Sequence, residues 1–389
     1  MLRNLYLRLC MTGVLVKVLD TPLFKYFGEY CGEEAPLDAK IRAYSGMASE
    51  IYKSGLSLTD LVFKLISEDE NVYVRTRASK REVDRQVETA LGNELSVFEE
   101  FAALTPGDFA RDLGVDYVCP FHSERKDFKA LYEARVREIH RVGYGIFSSY
   151  PMFRLADGGI IEPIVSADKT TMDKFVGYEE ERERVVANTE AFIEGKPAAN
   201  TLLCGDAGTG KSSTVKAVAN AFFDRGVRLI ELRKDQLSSL PYVMGKVSEN
   251  PLKFIIFIDD LSFNKSDDNF SMLKAALEGS ASARADNAII YATSNRRHII
   301  KESFGDREGN DVHRNDTLQE TLSLSERFGL VVLFQKPNKQ LYLDIVHRLA
   351  DRAGLTLDRQ KLDIDAEAFA LRRGNRSARC AEQFIDSLL

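Results

Sequence analysis

The sequence predicts an α/β protein in which a mainly helical N-terminal region precedes a parallel sheet and a small helical C-terminal region. Three observations predict this class. Apolar residues recur at helical spacing over residues 1–150, five short apolar runs alternate with helical segments further along, and a glycine-rich loop follows the first of these runs. Short apolar runs without polar alternation are typical of strands buried on both faces, as in a parallel sheet covered by helices.

Residues 1–150 are predicted to form a mainly helical domain. In Ser57–Glu68, leucine and valine side chains recur every three or four residues, which is the period of one helix face. The apolar stretch Leu9–Leu19 is too short to span a bilayer and is interpreted as a buried amphipathic helix. Further helices are predicted over Leu37–Ser54, from near Ser79 to Phe101, and over Ser123–Arg141.

A domain boundary is predicted near residues 145–165, where glycines and prolines interrupt the helical pattern. Residues 151–335 are then expected to form a core with a five-stranded parallel sheet, and residues 336–389 a helical lid. The predicted strands are Thr201–Cys204, Val227–Leu232, Phe254–Ile258, Ala288–Ala292 and Leu330–Phe334.

The composition excludes several classes of protein. Of the 389 residues, 44% are hydrophobic and 29% are charged, which is typical of a globular chain. The formal net charge of -6 gives no general attraction to nucleic acid or to anionic membranes. The cysteines are widely spaced and the histidines form no metal-binding motif, so neither a disulfide framework nor a transition-metal site is predicted. We expect a cytoplasmic protein with no membrane association.

One motif points to phosphate chemistry. Residues 205–212 read GDAGTGKS, which fits the pattern GxxxxGK[ST], between a predicted strand and a predicted helix. Glycines let the backbone wrap around phosphate, and the following helix N-terminus favours an anion. A chance match in a glycine-rich turn is the alternative. The predicted nucleotide-binding residues in and after the loop are Gly205, Asp206, Ala207, Gly208, Thr209, Gly210, Lys211, Ser212 and Ser213.

Within this loop, Lys211 is expected to reach the β- and γ-phosphates, and the Ser212 hydroxyl to bind Mg²⁺. Asp259 and Asp260 follow the apolar run Phe254–Ile258. A carboxylate at the carboxyl end of a buried strand lies beside the phosphate loop, so Asp259 is the second predicted Mg²⁺ residue. Asp260 is predicted to orient or deprotonate the attacking water. The alternative is that the Asp pair caps the next helix.

These motifs resemble those of AAA+ ATPases over about residues 170–389. Residues 175–179, FVGYE, resemble the segment that packs on adenine, which assigns Val176 and Gly177 to nucleotide binding. Residues 292–295, ATSN, resemble sensor 1, with Asn295 as the polar residue. The resemblance implies a core that binds ATP and Mg²⁺ and works as a homo-oligomer.

Two arginine segments extend the resemblance. Residues 325–329, SERFG, resemble the arginine-finger segment, so that Arg327 would reach a neighbouring subunit's γ-phosphate. A surface salt bridge is its alternative. Residues 374–379, GNRSAR, resemble sensor 2, with Arg376 preferred over Arg379. Together with Arg372 and Arg373, these two residues also fit a basic nucleic-acid patch.

More narrowly, the stretches FIIFIDDLSF, YATSNRRH and LSLSERFGL resemble an uncharacterised bacterial AAA+ family named for a domain of unknown function. One residue departs from the AAA+ pattern, because Asp260 stands where most members have Glu.

Two further segments each allow two interpretations. Tyr242–Gly245 fits an aromatic pore loop or an ordinary helix, and Arg296–His298 fits a partner contact or solvated charge.

Three functions are compatible with these residues. The first is an ATPase that remodels or loads a protein or nucleic-acid partner, with hydrolysis at a site shared between subunits. The second is a nucleotide-gated switch or scaffold that binds ATP and oligomerises with little turnover, which the shorter Asp260 side chain favours. The third is a small-molecule kinase, and the sensor-like and finger-like residues argue against it.

Overall fold

The computed structural model describes residues 1–261, 272–274, 277, 285–295 and 327–389. The chain divides into two compact units. The first contains residues 1–149 and 249–251, and the second contains residues 150–248 and 252–389.

The first unit is built from helices. Its core is rich in aromatic side chains, and Phe24 packs edge-to-face on Phe98 with ring centroids 5.3 Å apart. The helices are α1 (Leu2–Leu9), α2 (Pro22–Tyr30), α3 (Leu37–Ser54), α4 (Leu58–Glu68), α5 (Val72–Ala78), α6 (Arg85–Ala102), α7 (Pro106–Leu113), α8 (Phe128–Arg137) and α9 (Ile139–Val142).

The ends of several helices follow from capping residues. Helix α4 begins after Ser57, whose hydroxyl accepts from the Asp60 N–H. Helix α6 begins at Arg85 and not near Ser79, because the Asp84 carboxylate caps it by accepting from the Gln86 N–H. In the same way, Asp127 caps α8 at Phe128, five residues after the predicted start.

The prediction of one helix over Leu9–Leu19 was wrong. Helix α1 ends at Leu9, and a 3₁₀ turn covers Val16–Asp20. Between them, the N–H groups of Gly13, Val14 and Leu15 donate to the buried Glu94 carboxylate at 2.8–3.2 Å. These backbone donors are used by a side chain from α6, so they are not available to continue a helix.

The second unit is organised around a seven-stranded sheet of order β2-β1-β4-β5-β6-β3-β7. Among the described strands, β2 alone is antiparallel to its neighbour. The strands are β1 (Met152–Leu155), β2 (Ile161–Pro163), β3 (Thr201–Gly205), β4 (Val227–Leu232), β5 (Lys253–Ile258), β6 (Ala288–Ser294) and β7 (Leu330–Phe334).

The sheet has two more strands than the five that the sequence predicts. The five predicted runs correspond to β3–β7, and β1 and β2 extend the sheet beyond β4. Both additional strands have at most four residues. They lie beside the glycines and prolines that interrupt the helical pattern near the predicted domain boundary. Strands so short and so close to turn residues carry little periodic signal.

Helices of the second unit connect and cover these strands. Within the described residues they include α10 (Glu179–Ile193), α11 (Lys211–Ala221), α12 (Leu240–Ser248), α13 (Lys339–Arg352), α14 (Arg359–Arg373) and α15 (Ala378–Asp386). Tyr242–Gly245 lies within α12, as the helical interpretation expects. No described helix is both long and apolar enough to cross a membrane.

The parallel strands point their carboxyl ends toward one edge of the sheet. The loops that follow β3, β5 and β6 therefore leave the sheet at the same edge, where open α/β sheets bind their ligands. Residues of β3 and β5 are almost completely buried, which fixes the positions from which these loops start.

Candidate phosphate-binding site

The glycine-rich loop connects β3 to the N-terminus of α11. Gly205 has φ +139°, and a Cβ built there would lie 1.9 Å from the Phe334 carbonyl oxygen of β7, so only glycine fits. Gly210 has φ +89° and precedes the first turn of α11. The loop thus brings the free N–H groups of a helix N-terminus to the ligand-binding edge of the sheet.

Lys211 is 5% exposed, and its amino group lies inside the loop. The Nζ donates to the carbonyl oxygens of Gly205 at 3.0 Å and Asp206 at 2.7 Å, and to Asn295 Oδ1 at 3.1 Å. Desolvation lowers the pKa of Lys211, while nearby acidic groups, including Asp206, oppose this shift. The backbone carbonyls hold the amino group where it can exchange these acceptors for phosphate oxygens.

Ser212 and Asp259 form the second part of the site. The Ser212 hydroxyl donates to Asp259 Oδ1 at 2.6 Å. The same oxygen accepts from the Thr293 hydroxyl of β6 and from the Asp260 N–H at 3.1 Å. The hydroxyl and the carboxylate are oxygen ligands of the kind that Mg²⁺ prefers, so this pair fits a magnesium site.

Asp260 and Asn295 lie beside this pair. Asp260 has φ +51°, a left-handed conformation that Asp tolerates better than most residues, and its N–H donates to Thr293 Oγ1 at 2.9 Å. Asn295 Nδ2 donates to Asp260 Oδ1 at 2.7 Å, while its Oδ1 accepts from Lys211. Asn295 therefore connects the loop lysine to the acidic end of β5.

The segment before α10 lies on another side of the loop. Val176 is buried, and Gly177 approaches Ile345 of α13 so closely that a Cβ would lie 3.1 Å from that side chain. The Glu179 carboxylate accepts from the Gly177 N–H at 3.1 Å and from Arg348 of α13 at 2.7 Å. These contacts hold the segment against the C-terminal helices.

The two arginines of the GNRSAR segment have different surroundings. Arg376 makes a bidentate pair with Glu367 of α14, at 2.9 and 2.6 Å. The backbone N–H of Arg379 instead donates to the Gly208 carbonyl oxygen at 3.3 Å, and Arg379 lines a pocket with Gly208, Thr209 and Gly210. Arg379 is therefore the one of the two that the structure brings to the phosphate loop.

Arg327 lies at the opposite end of the sheet from its own loop. Leu330 pairs with Thr201 at the start of β3, whereas Phe334 pairs with Gly205 at its end. Four residues of strand separate these ends by about 13 Å, and Arg327 precedes Leu330 by a further three residues. The side chain is half-buried. This register does not bring Arg327 to the chain's own phosphate loop.

Two functional candidates were missed by sequence reasoning. Thr293 lies within the quoted ATSN motif, but no role was assigned to its hydroxyl, which binds both Asp259 and the Asp260 backbone. Arg182 lies in the charged run EEERER, which is typical of a solvated helix face, yet it is 5% exposed and lines the pocket beside the loop. Arg296–His298 and the Ser325–Glu326 part of the finger-like segment lie outside the described residues.

A family model described as "Protein of unknown function (DUF815)" matches residues 148–389, more than half of the chain. No curated protein matches it. The Thermotoga maritima RuvB Holliday junction branch migration motor is similar at 14% identity and a TM-score of 0.33, over 56% of this chain and 72% of that chain. A mutant of that motor gives 13% and 0.34 over the same shares. Similarity at this level assigns neither fold nor activity.

Proposed function

The chain belongs to the DUF815 family, and we propose that it binds ATP with Mg²⁺ and hydrolyses it to remodel or load a protein or nucleic-acid partner. One observation carries the proposal. The Lys211 amino group, the Ser212–Asp259 pair and Asn295 meet at the glycine-rich loop through contacts of 2.6–3.1 Å. A nucleoside triphosphate fits this site, because one helix N-terminus combines a cation, oxygen ligands for a metal and a polar side chain.

Each residue has a distinct task in this proposal. Lys211 neutralises charge on the β- and γ-phosphates after releasing the carbonyl oxygens of Gly205 and Asp206. Ser212 and Asp259 would hold Mg²⁺, which when bound adds further neutralisation of phosphate charge. Asp260 accepts a proton from the attacking water or orients it, and Asn295 fixes the Asp260 carboxylate.

Lys211→Ala tests nucleotide binding. We expect an affinity loss for fluorescent ATP of at least about 100-fold, or about 2.7 kcal/mol, because the phosphates lose the charge buried inside the loop. Lys216→Ala is the matched control, since Lys216 lies on the same helix but pairs with Glu231 at 3.5 Å. Unchanged affinity in a folded Lys211→Ala protein would contradict the proposal.

The nucleotide-gated switch remains the second candidate, and a contact at Asp260 favours it. Asp260 has a shorter side chain than Glu, and Asn295 already occupies one of its oxygens at 2.7 Å. Slow hydrolysis is expected from such an engaged carboxylate. Steady-state phosphate release separates the two functions: an ATPase loses turnover but keeps ATP binding in Asp260→Asn, whereas a switch shows no turnover to lose.

Arg327 is proposed to complete a neighbouring subunit's site in a homo-oligomer. The support is its place at the end of β7 that is remote from its own loop. Arg327→Ala should bind ATP normally but hydrolyse it at least tenfold more slowly, because an arginine beside the leaving γ-phosphate stabilises the charge that develops in the transition state. A mixture of Arg327→Ala and Lys211→Ala proteins should partly regain turnover. No recovery, together with a monomer in ultracentrifugation with ATP, would exclude a shared site.

A further inference from the structure

Arg182 is a buried arginine whose hydrogen-bonding capacity is incompletely used. It lies one turn into α10, and Nη1 donates to the Gly177 carbonyl oxygen. Its guanidinium stacks on the Phe175 ring, 4.3 Å from the centroid. Nε is buried with no hydrogen-bond partner, and no carboxylate of the described residues lies within ion-pair distance. Such a charge is costly to bury unless a partner arrives.

Burial also changes the acid–base behaviour of this side chain. Desolvation lowers the pKa of Arg182 to about 10, and the nearby Glu179 and Glu181 only partly oppose the shift. The guanidinium still carries its positive charge at neutral pH. An anionic ligand beside it would therefore relieve an unfavourable environment instead of competing with an existing ion pair.

The position of Arg182 indicates where such an anion would lie. A pocket of about 70 Å³ is lined by Arg182 and by Gly208, Thr209, Gly210 and Ser213 of the loop. Arg379 and Glu382 of α15 also line it. Lys211, Ser212, Asp259 and Asn295 do not line it. The pocket therefore lies on the side of the loop away from the residues assigned to the γ-phosphate and Mg²⁺.

We propose that Arg182 binds the α-phosphate of the nucleotide, the phosphate next to the sugar. This inference rests on the proposed function, because it requires a nucleotide in the loop. Lys211 serves the β- and γ-phosphates, so the opposite side of the loop takes the α-phosphate and the nucleoside. A guanidinium offers planar, paired donors that match two phosphate oxygens. Since ADP and ATP share the α-phosphate, Arg182 strengthens the binding of both to the same extent.

Nucleotide titrations of variants test this role. Arg182→Gln should weaken both ADP and ATP at least tenfold and by the same factor. Arg182→Lys should lose three- to tenfold, because it keeps the charge but not the paired donors. Arg184→Gln is the matched control, since Arg184 lies on the same helix, is exposed and donates to the Val331 carbonyl oxygen. The Arg184→Gln protein should bind like the wild type.

Sulfur substitution distinguishes phosphate binding from a purely structural role. The wild type should discriminate between the two diastereomers of adenosine 5′-O-(1-thiodiphosphate), and Arg182→Gln should lose that discrimination. Weaker ADP binding with unchanged discrimination would mean that Arg182 acts only by holding Gly177, and would overturn the proposal. Affinity within twofold of the wild type in folded Arg182→Gln would also overturn it. If that variant does not fold, Arg182→Lys gives the same comparison.

The outcomes also separate this inference from the proposed function. If Lys211→Ala loses nucleotide binding and Arg182→Gln keeps it, the nucleotide site stands and the α-phosphate assignment fails. If the wild-type protein binds neither ADP nor ATP, both fail together.

Discussion

Glu94 in the N-terminal unit and Arg182 in the C-terminal unit are both charged and almost fully buried, with 7% and 5% exposure. Their hydrogen-bond partners differ. The Glu94 carboxylate accepts from three consecutive backbone N–H groups, of Gly13, Val14 and Leu15. Arg182 donates to one carbonyl oxygen and leaves its Nε without a partner beside a pocket.

The two buried charges differ in what satisfies them, which is the protein backbone for Glu94 and a ligand for Arg182. The Glu94 interactions stay within the protein and satisfy the backbone donors of Gly13–Leu15, in the segment that follows α1. Glu94 therefore shapes the turn that follows. Arg182 has donors left over on the side of the phosphate loop, so its interactions are completed only by a ligand.

The largest expected effect is on folding. Glu94→Leu should lower the free energy of unfolding by about 3 kcal/mol, because three backbone donors lose their buried acceptor. Arg182→Leu should stay within about 1 kcal/mol of the wild type, because removing an underpaired buried charge offsets the lost Gly177 contact. Urea denaturation followed by circular dichroism measures both.

Two outcomes would contradict these assignments. If Arg182→Leu destabilises the protein as much as Glu94→Leu does, Arg182 is a structural residue. If Glu94→Leu is neutral, water replaces the carboxylate at Gly13–Leu15. Glu94→Gln is the matched variant and should lose less than Glu94→Leu, since one acceptor oxygen remains in place.

A smaller effect, on ATP affinity, is expected from comparing two arginines of the C-terminal helices, one that lines the pocket and one in an ion pair. Arg379 lines the pocket and its guanidinium has no ion-pair partner among the described residues, whereas Arg376 is paired with Glu367. Arg379→Gln should therefore weaken ATP binding about tenfold, or about 1.4 kcal/mol, and Arg376→Gln should change it less than twofold. Isothermal titration calorimetry measures both ATP affinities. A larger loss in Arg376→Gln than in Arg379→Gln would assign the sensor 2 role to Arg376.

The smallest effect concerns the pH dependence of the Arg376–Glu367 pair. Hydrogen bonds from Arg376 lower the pKa of Glu367 below the usual 4.5. The pair therefore stabilises the fold above pH 4.5, and this stabilisation is lost as the pH falls through the lowered pKa. Arg376→Gln should cost less than about 1 kcal/mol at pH 7, because the pair is partly solvated. The difference in Tm from the wild type should shrink as the pH falls below 4.5 and disappear in strong acid. A difference that persists there would indicate a packing effect.

Local sequence patterns predicted much of the C-terminal unit. Strands β3–β7 lie at or within two residues of the predicted runs, because each is a continuous apolar segment whose burial on both faces leaves a clear signal. The loop between β3 and α11 was also predicted from the sequence, because Gly205 and Gly210 occupy backbone conformations that favour glycine. The strands β1 and β2 were missed because they have only four and three residues and lie beside turn residues, which leaves little periodic signal.

Local sequence patterns account for the elements whose causes are local: the helices with an apolar face, the buried strands, the glycine-rich loop and the acidic residues that follow β5. The burial and the partners of individual charged residues follow instead from the packing of distant segments. Arg376 and Arg379 are three residues apart and the sequence does not distinguish them, yet the Arg376 side chain pairs with Glu367, whereas the Arg379 backbone N–H donates to the Gly208 carbonyl oxygen. Arg182 looks like its exposed neighbours in EEERER but is buried. The physical reason is that a side chain's charge is local, whereas its burial and its partners depend on segments distant in the chain.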